Sequence, residues 1–216
     1  MIRLLLVDDH PVVRAGYQRL LEQAGDMRVV AQAGAAEEAI TAFNDHGPDV
    51  TVTDLAMPGL GGLELIRRLL ARNANARVLV FSMHDSAMLV RRAFEVGARG
   101  YLSKSSAPDS LLDAVRRVHG GDNYLSADLP ADLLQPGTPQ GQLDSLTPRE
   151  FEIFRLLARG ESLADCAALL KLSQKTISNH QTMIKEKLGV GTTAALVHLA
   201  IRHGVIAPDG SAGELQ

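Results

Sequence analysis

No stretch of this 216-residue chain approaches the about 20 consecutive apolar residues that a membrane-spanning helix needs. The N-terminus runs straight into a strand pattern, without the layout of a secretory leader, so a cytoplasmic protein with no membrane partner is expected. Cysteine occurs once, at Cys166, which excludes an internal disulfide and fits a reducing compartment. Cys166 sits in an apolar helical pattern, the setting of a small core residue rather than a nucleophile. The seven histidines are scattered without metal-ligand spacing, and none is read as a ligand. What the chain does have is apolar content, 46%, and a length that allows one large domain or two small ones.

The first half alternates strand and helix. Strands are predicted over about residues 2–7, 28–33, 50–54, 77–82 and 100–102. Helices are predicted over about residues 11–24, 35–46, 62–73, 86–97 and 107–119. In the first helix, Val12, Val13, Leu20 and Leu21 are assigned to the inner side. Repeated βα units imply a parallel sheet covered on both faces, which agrees with continuous apolar strands.

Polar residues then fall at strand ends, the edge where open α/β sheets bind ligands. Val50-Thr51-Val52-Thr53 favours a strand, and Pro58-Gly59 breaks it just after Asp54. Asp54 alone could be a turn cap, a metal ligand or a nucleophile. Asp8-Asp9 follows the run Ile2–Val7, so three carboxylates converge if both strands share one sheet. Close carboxylates repel unless a cation sits among them, and oxygen-only ligands suit a hard ion such as Mg²⁺. Ser82 closes the fourth predicted strand and Lys104 follows the fifth. A hydroxyl and a cation beside an acceptor carboxylate suit a phosphoryl group on Asp54.

Asp8-Asp9, Asp54 with Met57-Pro58, Ser82, Tyr101 and Lys104 together resemble the receiver domain of two-component response regulators. The resemblance implies a flavodoxin-like fold with a five-stranded parallel sheet over residues 1–121. It implies that Asp54 is the phospho-acceptor of a sensor histidine kinase. It places Mg²⁺ on Asp9, Asp54 and the Ala56 backbone carbonyl, with Asp8 reaching the ion through water. Ser82 and Lys104 would contact the phosphoryl group, and Tyr101 would repack when Ser82 moves. Two residues depart from the family pattern. Gly61 stands where many relatives carry an acid or amide, and Ser105 follows Lys104 where many have Pro.

Residues 122–143 read as a linker, rich in Pro and Gly. A short helix over about residues 127–134 is possible there, with 135–142 expected to be mobile.

From Asp144 to Ile206 the pattern is all helical. Thr147-Pro148-Arg149-Glu150 is a helix start with an N-cap Thr and Glu at the third position. Ser162, Ser173 and Thr192 or Thr193 open three further helices. A short helix, a tight turn and a longer helix match a helix-turn-helix. In the helix after Ser173, Ile177, Ile184 and Leu188 share one face, with His180 beside them. Lys175, Ser178, Asn179, Thr182 and Lys185 share the other. Ser, Asn and Thr are poor helix formers, so that face suits base edges and phosphates better than plain solvent. Residues 144–206 carry eight Lys and Arg against six Asp and Glu, a balance of +2 in a chain of net charge −3. Such modest charge argues for two copies on a two-half-site operator.

Leu146–Glu150, Lys175–His180 and Lys187-Leu188-Gly189-Val190 resemble a LuxR-type helix-turn-helix of four helices. With the receiver, this is the NarL/FixJ class. The likeness places base contacts on Ser178, Asn179 and Thr182. It places phosphate contacts on Lys175, Thr176 and Lys185, and dimer contacts on the helix from Thr192. Residues 207–216 form a tail with no assignment. The chain is therefore expected to be a phosphorylation-dependent transcriptional regulator rather than an enzyme, binding double-stranded DNA as a phosphorylation-promoted homodimer. Two other classes stay open. One is a receiver acting through protein contacts. The other is a Mg²⁺-dependent aspartyl phosphotransferase, whose common second Asp two residues on is Ala56 here.

Overall fold

The computed structural model describes residues 1–129 and 142–206. The expected linker helix beyond residue 129, the segment 130–141 and the tail lie outside them. Chain contacts divide the protein into two units, Met1–Gln135 and Pro136–Gln216.

In the first unit the elements run β1 (Ile2–Val7), α1 (Pro11–Gln23), β2 (Met27–Ala33), α2 (Ala36–His46), β3 (Val50–Thr53) and α3 (Gly61–Arg72). They continue as β4 (Val78–Ser82), α4 (Ala87–Glu95), β5 (Gly100–Ser103), α5 (Pro108–Gly120) and β6 (Tyr124–Leu125). The strands form one parallel sheet in the order β2-β1-β3-β4-β5-β6. The order reverses between β1 and β3, so the crevice at their C-terminal ends is the topological switch point. Register sets Val7 opposite Thr53, and the Asp54 amide donates to the Val7 carbonyl at 3.0 Å. The residues that follow each strand, Asp8 and Asp54, thus enter the same crevice.

One face of the sheet packs Leu4, Leu6, Val50, Val52, Leu79, Phe81 and Leu102 against Leu21 of α1 and Leu111, Val115 and Val118 of α5. Strand alternation sends Leu5, Val7, Val78, Val80 and Tyr101 to the other face, and all five are buried. The two rows make each strand apolar throughout.

The sheet has six strands, one more than the sequence indicates. β6 lies in the stretch read as linker. It pairs with β5 through the Tyr124 amide on the Arg99 carbonyl and the Ser126 amide on the Tyr101 carbonyl, both 2.9 Å. Two residues flanked by Gly120, Gly121 and Asn123 are too short to show a period. The inner side of α1 also needs correction, because Val12 is 86% exposed. The packed stripe runs through Val13, Tyr17, Leu20 and Leu21, at helical spacing, and Val12 lies well off it.

The described part of the second unit opens on a 3-10 turn, Gln142–Ser145. It continues as α6 (Pro148–Ala158), α7 (Leu163–Leu170), α8 (Gln174–Lys187) and α9 (Thr193–Arg202). Each helix opens on the hydroxyl cap expected of it. Thr147 and Glu150 form a reciprocal capping box. Ser162, Ser173 and Thr192 accept from the amides of Asp165, Thr176 and Ala195. Ile177, Ile184 and Leu188 are fully buried, as is Cys166. Burial pushes the Cys166 thiol up to about 11, with Glu161 and Asp165 adding to it. That is the behaviour of a core residue. Among the described residues no helix is long and apolar enough to cross a membrane.

Candidate functional site

The strand-end residues meet in a single cluster around Lys104. Its Nζ donates to Asp54 Oδ2 at 2.5 Å and to Asp8 Oδ2 at 2.6 Å. Ser82 Oγ donates to the other Asp54 oxygen, Oδ1, at 2.8 Å. The same oxygen accepts from the backbone amides of Leu55 at 2.6 Å and Ala56 at 3.2 Å. Asp8, Asp54 and Ser82 are buried, and only 8% of the Lys104 side chain is exposed.

The electrostatics follow from that packing. Burial pushes the Asp54 carboxyl up. The Lys104 charge, with hydrogen bonds from Lys104, Ser82 and the Ala56 amide, outweighs it and holds the group below the usual carboxylate range. Lys104 mirrors this. Burial disfavours its charge, but the charge of Asp54 and hydrogen bonds to Asp54 and Asp8 raise it above the ordinary lysine value. The pair is therefore ionised at neutral pH.

Asp9 stands apart. Its Oδ1 is buried and accepts no hydrogen bond, while His10 Nδ1 lies 2.9 Å from it and 3.3 Å from Asp8 Oδ1. Asp8, Asp9 and His10 bring ligand-capable atoms within 4.8 Å of one another. A buried carboxylate oxygen that accepts no hydrogen bond, beside a second acid, is a donor set that fits a divalent cation.

Tyr101 is fully buried on β5, and its hydroxyl donates to the His84 carbonyl in the loop after Ser82. Burial, then the charges of Asp85 and Asp54, drive its phenol far above the ordinary value. It is a neutral donor joining β5 to that loop.

The second unit presents a different surface. On α8, Lys175, Ser178, Asn179 and Thr182 are exposed, while Thr176 and Lys185 are half-buried. Met183, 45% exposed, joins that face. Thr176 is engaged locally: its hydroxyl is 2.8 Å from Ser173 Oγ, which also accepts the Thr176 amide. Lys187 is spent on structure, donating to both oxygens of Glu150 at 2.6 and 2.8 Å. The cations left on α8 for a ligand are Lys175 and Lys185.

Comparison with known families matches both halves. Residues 4–116 fit the response regulator receiver domain, and residues 144–200 fit the bacterial regulatory proteins of the luxR family. The chain belongs to the NarL/FixJ class of two-component response regulators. It is 43% identical to the transcriptional activator protein ExaE of Pseudomonas putida, over 94% of this chain and 97% of the relative. It is 40% identical to the transcriptional regulatory protein UhpA of Salmonella typhimurium, over 92% and 97%. Among solved structures it resembles RcsB of Salmonella enterica serovar Typhimurium bound to the promoter rprA with the phosphomimetic BeF3-. That match has a TM-score of 0.70 and 27% identity, covering 92% of this chain and 98% of RcsB. This response regulator is thus a receiver joined to a LuxR-type DNA-binding domain, and its relatives are transcriptional regulators of two-component systems.

Two residues of the regulator's crevice escape a strand-end search. Arg14 Nη1 donates to the Asp8 carbonyl at 2.5 Å, and its Nε donates to Gln32 at 3.1 Å. It holds the turn that carries the acids, but its position inside α1 gives no linear signal. Gly62 is the other. A Cβ there would overlap the Asp54 carbonyl oxygen and come within 2.8 Å of Leu55 Cα. The Gly61-Gly62 pair was the available sign of that close approach.

Proposed function

We propose that this regulator accepts a phosphoryl group on Asp54 from a sensor histidine kinase. The new charge then shifts the chain toward a DNA-binding homodimer in the cytoplasm. One observation carries the reading: Lys104 bridges Asp8 and Asp54 while Ser82 and two amides hold the other Asp54 oxygen. An ionised Asp54 can attack the phosphorus of a phosphohistidine. The new O–P bond makes an acyl phosphate as the P–N bond breaks and the imidazole leaves.

Asp9, Asp54 and the Ala56 carbonyl are the groups that would hold Mg²⁺, with Asp8 reaching it through water. When bound, the ion neutralises charge on the phosphoryl oxygens during transfer. Lys104 leaves its ion pairs and Ser82 turns its hydroxyl so that both serve the phosphoryl oxygens. The group carries a charge of about −1.5 to −2 by analogy with other phosphorylated side chains. Tyr101 repacks as the loop after Ser82 moves.

On DNA, Ser178, Asn179 and Thr182 read base edges in the major groove. Lys175, Lys185 and the amide end of α8 at Thr176 hold phosphates. RcsB, by its description, binds promoter DNA in the presence of a phosphomimetic, which supports the same order of events here. Incubation with a small phosphodonor and Mg²⁺ tests the acceptor. One acyl phosphate per chain, lost in Asp54→Ala, is expected. Equal incorporation in that variant would remove Asp54 from its role.

A further inference from the structure

The loop after β5 contains a serine cluster that phosphoryl transfer does not use. Ser103, Lys104, Ser105 and Ser106 form a closed turn. The Ser106 amide donates to the Ser103 carbonyl at 3.2 Å. The Ser105 amide donates to Ser103 Oγ at 3.2 Å, and the two hydroxyls lie 2.6 Å apart. Proline at 105 would have no amide to give, so the departure from the family pattern at this position contributes a bond. Lys104 therefore sits on a rigid turn, and displacement of its backbone carries Ser106 with it.

Ser106 in turn holds the last described residues of the first unit. Its hydroxyl donates to Asp128 Oδ2 at 2.7 Å and lies 2.8 Å from the Ser126 hydroxyl. With the Ser106 proton on Asp128, the Ser126 proton is shared between Ser106 Oγ and Asp128 Oδ2, which lies 3.3 Å away, and every hydroxyl in the clasp is satisfied. Ser126 is buried, and its amide is bonded to the carbonyl of Tyr101. The residues just before position 130 are thus bonded both to the turn that carries Lys104 and to the strand that carries Tyr101, the two side chains that the proposed switch rearranges.

We infer that Ser106, Ser126 and Asp128 form a coupling clasp through which displacement of Lys104 reaches the chain leading toward the DNA-binding domain. Ser106 and Asp128 are positioning residues that touch no reacting atom. The inference rests on the reading of Asp54 as phospho-acceptor.

The test uses the full chain with S106A, D128N and the double variant, alongside S106T as the conservative replacement. Three quantities are read with and without a small phosphodonor: acyl phosphate per chain, DNA affinity and melting temperature. The expected result is that S106A and D128N keep their acyl phosphate and their melting temperature. Their donor-induced gain in DNA affinity falls by about fivefold or more, the order of a typical coupling between sites. S106T restores the gain, and the double variant is no worse than either single one. An unchanged gain in S106A and D128N overturns the clasp while leaving the phospho-acceptor reading intact. Absence of any donor response in the parent chain overturns both. Loss of acyl phosphate or of folding in the variants would hide the effect, so amide exchange at Ser126 and Leu129 of the unaltered chain gives a second measure. Exchange that changes with the donor supports the clasp, and identical exchange in both states overturns it.

Discussion

The acid crevice of the receiver and the outer face of α8 treat polar side chains in opposite ways. In the crevice Asp8, Asp54, Ser82 and Lys104 are buried or nearly so, and each has a close partner within the fold. On α8, Lys175, Ser178, Asn179 and Thr182 are exposed, although the Thr182 hydroxyl donates back to the Ser178 carbonyl at 3.2 Å. The difference teaches where each site stores its specificity. A buried charge must be paired before the ligand arrives, so binding is an exchange of partners within a fixed frame. An exposed donor waits in water, and its partner comes from outside.

The largest effects are expected in the crevice. Asp54→Ala should abolish phosphodonor uptake and the donor-induced gain in DNA affinity together, as read by acyl phosphate and by titration. A retained gain would mean that the two sites are not linked through this carboxylate. Lys104→Met comes next. It leaves Asp8 and Asp54 buried without their cation, and breaking a buried pair costs about 3–5 kcal/mol. Denaturant unfolding should show a loss of that order, and a loss below about 1 kcal/mol would class the pair with exposed ones.

On α8 the effects are smaller and divide by kind. Asn179→Ala should cost about 1–3 kcal/mol on the preferred operator and little on unrelated DNA. Lys175→Ala should weaken both alike and lower the salt slope by about 1. If the two variants gave the same pattern, the division of this face into base and phosphate contacts would be wrong.

The smallest effect concerns the frame that holds α8. Burial pushes the Glu150 carboxyl up, but the hydrogen bond from Lys187 and those at Thr147 outweigh it and leave it lowered. A lowered carboxyl stabilises fully above its ordinary value of 4.5 and loses that contribution as pH falls through the folded value. Denaturant midpoints from pH 6 to about pH 3 should therefore fall less steeply in Glu150→Gln than in the parent chain. Parallel curves would deny the pair a role in stability. Thr147→Ala, which removes the other half of the capping box, should cost about 1 kcal/mol at neutral pH.

The same contrast explains what could be read from the sequence. Asp8, Asp9, Asp54, Ser82 and Lys104 stand at the ends of strands, where local pattern and chain order suffice to bring them to one edge. The four helix caps of the second unit were legible for the same reason, since a cap is bonded within three residues of itself. Contacts that skip across the fold were not. Arg14 reaches Asp8 from inside a helix, and Ser106 reaches Asp128 across 22 positions. Lys187 counts toward the positive balance of the DNA-binding half, yet its charge is held by Glu150, 37 positions away. β6 and the exposed Val12 failed differently. Two residues carry no period, and a valine beside a packed stripe looks the same in sequence as one within it.

One titration tests the link between the two sites most directly. The full chain is titrated onto a pool of genomic DNA fragments at fixed salt, with and without a beryllofluoride phosphate mimic and Mg²⁺. Selective binding to a subset of fragments is expected, tightening when the mimic is present and not tightening in Asp54→Ala. Selective binding that ignores the mimic would contradict the switch while keeping the regulator. No selective binding in either state would contradict the reading of α8 and favour a receiver that signals through protein contacts.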